Sequence, residues 1–117
     1  MANDTPVIYH NPRCSKSRDA LKLLQDAGCA VEVIEYLKTP FSAAQLETLL
    51  KKLGMKPEQL IRKGEPIYKE RYAGKALSDA EWIAAMIAHP ILIERPIFVK
   101  GGRAVVGRPP ERVLAFL

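Results

Sequence analysis

The pattern of hydrophobic and polar residues at the start of the chain predicts a strand, a helix and a second strand. Residues 6–10 (PVIYH) are β-branched and aromatic, and the turn-forming pair Asn-Pro follows them. Over residues 15–28 apolar side chains recur at helical spacing and Gly28 suits the helix end. The predicted apolar face consists of Ala20, Leu21, Leu23, Leu24 and Ala27. Residues 31–36 (VEVIEY) alternate as a half-buried strand does, so the two strands should be parallel neighbours.

A second helix with well-defined ends is predicted at residues 39–54. Ser42 can accept a hydrogen bond at the first turn, and Gln45 follows three residues later, as in a capping box. Gly54 provides the left-handed residue at which many helices end. The start and the end of this helix are therefore both predicted by local chemistry.

Three further helical segments are predicted before the chain returns to strands. Residues 56–63 (KPEQLIRK) should form a short helix that begins with a proline, and residues 66–74 should form one or two turns. The segment 78–89 (SDAEWIAAMIAH) is predicted to be a longer helix capped by Ser78 and followed by Pro90.

The last third of the chain predicts a hairpin and a closing helix. Residues 95–100 and 103–107 read as strands joined by Gly-Gly, and residues 109–117 as a helix that begins with prolines. The predicted fold class is α/β, with a thioredoxin-like four-stranded mixed sheet flanked by helices. Two parallel strands and an antiparallel hairpin form that sheet, and a helical insert separates the second and third strands. We expect a single domain over residues 1–117.

Composition and charge narrow the class of protein. Hydrophobic residues make up 48% and charged residues 26% of the 117, as in soluble globular domains. No apolar run approaches the ~20 residues of a membrane span, and the first residues lack a signal-peptide pattern. We therefore expect a cytoplasmic protein with no membrane partner. The net charge is +5, but the basic residues are scattered, which favours small anions over nucleic acid as partners.

Cys14 lies where the first helix is expected to begin, among Arg13, Lys16 and Arg18. A helix N-terminus and nearby cations both stabilise a thiolate and lower the pKa of a cysteine. The backbone N–H groups of residues 14–17 could also cradle an oxyanion. These features predict a nucleophilic cysteine in an anion-binding turn.

The second cysteine, Cys29, is not expected to pair with Cys14. About fifteen mostly helical residues put the two roughly 20 Å apart, whereas a disulfide needs Cα atoms within about 7 Å. Cys29 is instead expected to be a small buried hydrophobe. Ser17 stands where a C-x-x-C motif has its second cysteine, so a resolving thiol should come from glutathione or a glutaredoxin. The spacing of cysteines and histidines predicts no metal site.

Four blocks of the sequence, in the same order, resemble the glutaredoxin-dependent arsenate reductases. They are IYHNPRCSKSR (8–18), LIRKGEPIYKE (60–70), HPILIERPIFV (89–99) and GRPPERVL (107–114). We expect a short-chain member, since the sequence ends at VLAFL, before the longer C-terminal tail of well-known members.

The resemblance implies a thioredoxin-like fold and the reduction of arsenate to arsenite in arsenic detoxification. It implies no bound cofactor, glutathione as co-substrate and a glutaredoxin as partner; we expect a monomer. Cys14 resembles the catalytic nucleophile. The residues that resemble those binding the oxyanion are Arg62, Arg95 and Arg108. The residues that resemble supporting groups are His10, which tunes the cysteine, Ser17, and Pro96, the cis-proline that faces the catalytic turn.

Two alternative functions stay open at the sequence level. A regulator of the Spx type would use the same fold to bind RNA polymerase, although those regulators often carry the C-x-x-C that Ser17 interrupts. A glutathione-dependent thiol oxidoreductase with another substrate would need Cys14 but would tolerate loss of the arginines. His10 could equally be a hydrogen-bonded scaffold residue, and Arg62 a solvated arginine near a helix end.

Overall fold

The computed structural model describes residues 5–116, and the chain divides into two compact units. The first unit combines the chain up to Thr39 with the chain from Arg95 onward, and the second unit spans Pro40–Glu94. The second unit coincides with the predicted helical insert. The single domain over residues 1–117 stays a prediction.

The first unit contains a four-stranded mixed sheet in the order β2-β1-β3-β4. The strands are β1 (Val7–His10), β2 (Glu32–Glu35), β3 (Ile97–Lys100) and β4 (Arg103–Val106). Strand β1 pairs with β2 in parallel and with β3 antiparallel, and β3 and β4 form an antiparallel hairpin. The predicted thioredoxin-like α/β class and its strand pairings are confirmed.

Helix α1 (Ser15–Asp26) connects β1 to β2, and a 3₁₀ helix at Pro110–Phe116 follows β4. Five side chains from the sheet and both helices are completely buried together: Ile8, Ala20, Leu24, Phe98 and Val113. The predicted apolar face of α1 is correct at Ala20 and Leu24, but Ala27 is exposed because it is the C-cap residue of the helix. The predicted closing helix is a 3₁₀ helix over its described residues, and Leu117 lies outside them.

The second unit is built from three α-helices, α2 (Ala43–Leu53), α3 (Pro66–Arg71) and α4 (Asp79–Ala88), and two 3₁₀ turns. The α2 capping box is present as predicted: the Gln45 N–H donates to Ser42 Oγ at 3.1 Å and the Ser42 N–H to Gln45 Oε1 at 2.9 Å. Gly54 ends this helix with φ +67°, in the left-handed region. The buried side chains of the unit include Leu46, Leu50, Leu60, Trp82, Met86 and Leu92.

One helix prediction in the second unit is too long. The segment 56–63 forms only a 3₁₀ turn at Pro57–Leu60, after which Ile61 is extended and pairs with Ile93 in an antiparallel bridge. The Arg62 N–H donates to Leu92 O at 2.7 Å, so backbone pairing within the unit replaces the helical hydrogen bonds that the sequence suggested.

Across residues 5–116 no helix has both the length and the apolar character that crossing a bilayer requires.

Candidate active site

Three strand ends meet at one edge of the sheet and determine where the candidate site forms. In the register, Tyr9 near the end of β1 lies opposite Ile97 at the start of β3, and Ile97 lies opposite Val106 at the end of β4. The turn after β1, the residues before β3 and the residues after β4 are therefore neighbours. Those segments carry Cys14, Arg95 and Arg108 respectively.

Cys14 is the N-cap residue of α1, in extended conformation (φ −95°, ψ 122°), and its side chain is half-buried. Its N–H donates to Asn11 O at 3.0 Å, and its carbonyl accepts the Arg18 N–H at 3.0 Å, the first bond of the helix. The sulfur therefore lies at the positive end of a helix dipole, as the sequence predicted.

The pKa of the Cys14 thiol is lowered from its usual value. Burial by itself raises this pKa, but hydrogen bonding from the Ser17 backbone and from the Arg95 side chain, together with the Arg95 charge, outweighs the effect. The Lys16 backbone contributes in the same direction. These backbone groups stabilise the anion although the side chain makes no regular helix-capping hydrogen bond.

Arg95 and Arg108 both reach the sulfur. Arg95 is buried, with 7% of its surface exposed, just before β3. Its guanidinium lowers the pKa of Cys14 through both hydrogen bonding and charge. Arg108 Nη1 lies 3.9 Å from Cys14 Sγ and donates a 3.2 Å hydrogen bond to the carbonyl of Arg95. The structure thus brings two of the three predicted arginines to the predicted nucleophile.

Close packing at Gly107 joins the two arginine segments. The Gly107 N–H donates to Pro96 O at 2.8 Å, and a Cβ on Gly107 would lie only 2.9 Å from Pro96 Cγ and 3.0 Å from Val113 Cγ1. The Arg95–Pro96 peptide bond is cis, as the resemblance implies. The Arg108–Pro109 bond is also cis, which the sequence analysis did not anticipate.

His10 and Ser17 form a buried polar pair behind the turn. His10 Nδ1 lies 2.7 Å from Ser17 Oγ, which also accepts the Asn11 N–H at 3.0 Å. Burial lowers the pKa of His10, the Arg18 charge acts in the same direction and Glu35 opposes them. Ser17 is completely buried, so it contributes to the interior of the turn. The role of His10 in tuning Cys14 stays a prediction.

Asn11 is a site residue that the sequence analysis did not single out. It is 3% exposed, its Oδ1 accepts the Arg13 N–H at 3.0 Å, and its carbonyl accepts the Cys14 N–H. The available signal was the dipeptide Asn-Pro, which we interpreted only as a turn.

The side-chain charges next to Cys14 in sequence are not the charges that lower its pKa. Arg13, Lys16 and Arg18 all have exposed side chains, and Arg18 Nη1 donates to the Pro12 carbonyl at 2.9 Å. The charge that stabilises the thiolate comes from Arg95. The prediction that the neighbouring cations supply the charge that stabilises the thiolate is therefore wrong.

Arg62, the third predicted arginine, belongs to the second unit. Its Nε lies 3.3 Å from Glu65 Oε1 and 4.0 Å from Glu94 Oε1, and its Nη1 is buried without a hydrogen-bond partner among residues 5–116. It is therefore an ion-paired, partly buried side chain rather than a solvated one. A role in binding an oxyanion stays a prediction.

Cys14 and Cys29 are both free thiols. Cys29 is half-buried and packs against the core of the first unit, so it is less buried than we expected. Within the described part of the chain, no three His, Cys, Asp or Glu side chains cluster as metal ligands would.

The fold and the site define a thioredoxin-like protein in which arginines face a cysteine of lowered pKa. The sequence model of the ArsC family matches residues 9–116, and the chain belongs to this family. The protein named YfgD of Escherichia coli strain K12 is 53% identical over 109 residues, 92% of each chain. An arsenate reductase of Neisseria meningitidis serogroup A is 44% identical over 112 residues, 94% of this chain and 96% of that one.

Solved structures agree with this assignment. The arsenate reductase from Vibrio cholerae superposes with a TM-score of 0.93 at 48% identity, covering 99% of this chain and 100% of that chain. A Yersinia pestis protein described as a putative arsenate reductase gives a TM-score of 0.88 at 46% identity, covering 93% and 97%.

Proposed function

We propose that this protein reduces arsenate to arsenite, with the Cys14 thiolate as nucleophile. The observation that carries the proposal is the approach of Arg95 and Arg108 to a sulfur whose pKa is lowered. Relatives named arsenate reductase, one of them 44% identical over nearly its whole length, support the choice of substrate.

Arsenate suits this arrangement because it is a tetrahedral oxyanion that is largely doubly charged near neutral pH. Guanidinium groups bind such oxygens through paired, charge-assisted hydrogen bonds. Arg95 and Arg108 would hold two sides of the anion, while the start of α1 offers backbone N–H groups. Arg62 is proposed as a third arginine that binds the anion.

In the proposed first step the Cys14 sulfur bonds to arsenic and one arsenate oxygen leaves as water, with one proton from the arsenate itself and one from solvent. The arginines stabilise the charge that develops on the remaining oxygens. Glutathione then displaces a second oxygen in the same way. Both steps leave arsenic in its pentavalent state.

Reduction requires two electrons, which two thiols supply when they become a disulfide. A glutaredoxin thiolate would attack the glutathione sulfur, break the sulfur–arsenic bond and leave the bonding pair on arsenic. Hydrolysis of the bond to Cys14 then releases arsenite and the free thiolate. These donors are external because the twelve-residue helix α1, about 18 Å long, lies between Cys14 and Cys29. Since both donors are cytoplasmic, we expect the reaction there.

The test is arsenite formation by purified protein with glutathione and glutaredoxin. Cys14→Ser should abolish turnover, whereas Cys29→Ser, the matched control at the other cysteine, should retain it. Omission of glutathione or of glutaredoxin from the wild-type reaction should each lower the rate. Substantial activity in Cys14→Ser would refute the assignment of the nucleophile, and undiminished rates without glutathione would refute the choice of donor.

A further inference from the structure

Asn11 is an almost completely buried polar residue for which the proposed chemistry has no use. Three of its polar groups bind within the turn and the start of α1. Its side-chain Oδ1 accepts the Arg13 N–H at 3.0 Å and its carbonyl accepts the Cys14 N–H at 3.0 Å. Its own N–H donates to Ser17 Oγ at 3.0 Å. One residue thus ties the end of β1 to both sides of Cys14.

These bonds determine which backbone donors stabilise the sulfur. The N–H groups of Arg13 and Cys14 are already bound to Asn11, whereas those of Lys16 and Ser17 lower the pKa of Cys14. Of these two N–H groups, that of Ser17 has the larger effect on the pKa of Cys14. The hydroxyl of the same residue accepts the Asn11 N–H. Asn11 therefore holds both the residue that carries the sulfur and the residue that stabilises it.

We propose that Asn11 is a positioning residue for the Cys14 thiolate, which acts by holding the turn so that the Lys16 and Ser17 N–H groups face the sulfur. Asparagine suits this position for two reasons. Pro12 restricts the residue before it to extended conformations, and an asparagine side chain accepts a backbone N–H two residues later. The inference rests on the proposed function only in taking Cys14 as the nucleophile.

The experiment measures the pKa of Cys14 from the rate of its alkylation by iodoacetamide against pH. It uses the full chain carrying Cys29→Ser, without arsenate, glutathione or glutaredoxin. Asn11→Ala removes the acceptor for the Arg13 N–H and should raise the pKa of Cys14 by about one unit. At pH values below the Cys14 pKa of both proteins, the Asn11→Ala variant should then be alkylated up to about tenfold more slowly than the chain with Asn11 in place.

A conservative variant tests rescue. Asn11→Ser retains a side-chain oxygen that accepts the same kind of turn hydrogen bond, more weakly. Its pKa should lie between those of the wild type and Asn11→Ala. If Asn11→Ala does not fold, the serine variant decides alone: a raised pKa supports the proposal and an unshifted one overturns it.

Ser42→Ala serves as the control for a merely structural role. It removes a helix cap whose hydrogen bonds lie within the second unit, so it lowers stability and should leave the pKa of Cys14 unchanged. An unshifted pKa in Asn11→Ala, or an equal shift in Ser42→Ala, would overturn the proposal. Because no arsenate is present, failure of the arsenate reductase assay would leave this result intact.

Discussion

Substitution of Gly107 by alanine tests the packing that brings the two arginine segments together. Gly107 is buried, and a Cβ there would lie 2.9 Å from Pro96 Cγ, 3.0 Å from Val113 Cγ1 and 3.6 Å from Ala20 Cβ. Favourable carbon–carbon contacts lie at about 3.5–4.0 Å, so the new methyl group overlaps two neighbours by roughly half an ångström or more. Val113 and Ala20 are completely buried and have little room to move.

Overpacking of this kind costs about 1–3 kcal/mol. Alanine also restricts the unfolded chain, which offsets about 0.4–1 kcal/mol. The two ranges together give a net loss centred on about 1.3 kcal/mol, with an upper bound of about 2.6 kcal/mol. For 117 residues a change of 1 kcal/mol shifts the melting temperature by about 4 °C, so the variant should melt roughly 5 °C lower.

The assay is thermal unfolding followed by circular dichroism, with Gly102→Ala as the matched control. Gly102 lies in the β3–β4 turn, and a Cβ added there would meet no atom of residues 5–116 within 4 Å. Its substitution should therefore be neutral or slightly stabilising. If Gly107→Ala melts no lower than Gly102→Ala, the packing argument fails.

Three further predictions concern the site, a helix cap and pH. Arg108→Gln should lower kcat/KM for arsenate about a hundredfold in steady-state assays. The control Lys22→Gln, which breaks an exposed ion pair with Asp26, should leave kcat/KM unchanged. Equal losses in the two variants would contradict the role of Arg108. Ser78→Ala should lower the free energy of unfolding in urea by about 1 kcal/mol, and an unchanged urea midpoint would argue against the cap. The pKa of Cys14 is lower in the folded chain than its unfolded value of about 8.5. The Cys14 thiolate therefore stabilises the fold at pH values above the unfolded pKa, and this stabilisation is lost as pH falls through the folded pKa. The stability of wild type relative to Cys14→Ser should therefore rise across that window, and a flat difference would contradict the sign.

The parts of the fold that local chemistry determines were predictable from sequence. Ser42 and Gln45 form the expected capping box, and Gly54 has the expected left-handed conformation. Each depends on residues within one helix. The position of Cys14 at the start of α1 was predictable for the same reason, since the strand, the Asn-Pro turn and the helical periodicity follow one another directly.

The features that depend on tertiary pairing were not predictable in the same way. Ile61 has a helical neighbourhood in sequence but is extended, because it pairs with a residue far along the chain. The charge that lowers the pKa of Cys14 comes from Arg95, which the strand register brings to the turn, and not from the adjacent cations. Asn11 was overlooked because a turn-forming dipeptide does not reveal which backbone groups its side chain will bind.

The proposed chemistry requires that Arg95 and the start of α1 hold Cys14 as a thiolate. The most direct test is a titration of thiolate ultraviolet absorbance in the Cys29→Ser chain, with and without Arg95→Gln. We predict a Cys14 pKa below the ordinary value of about 8.5, and a higher value once Arg95 is replaced. A pKa at or above about 8.5 with Arg95 in place would contradict the account.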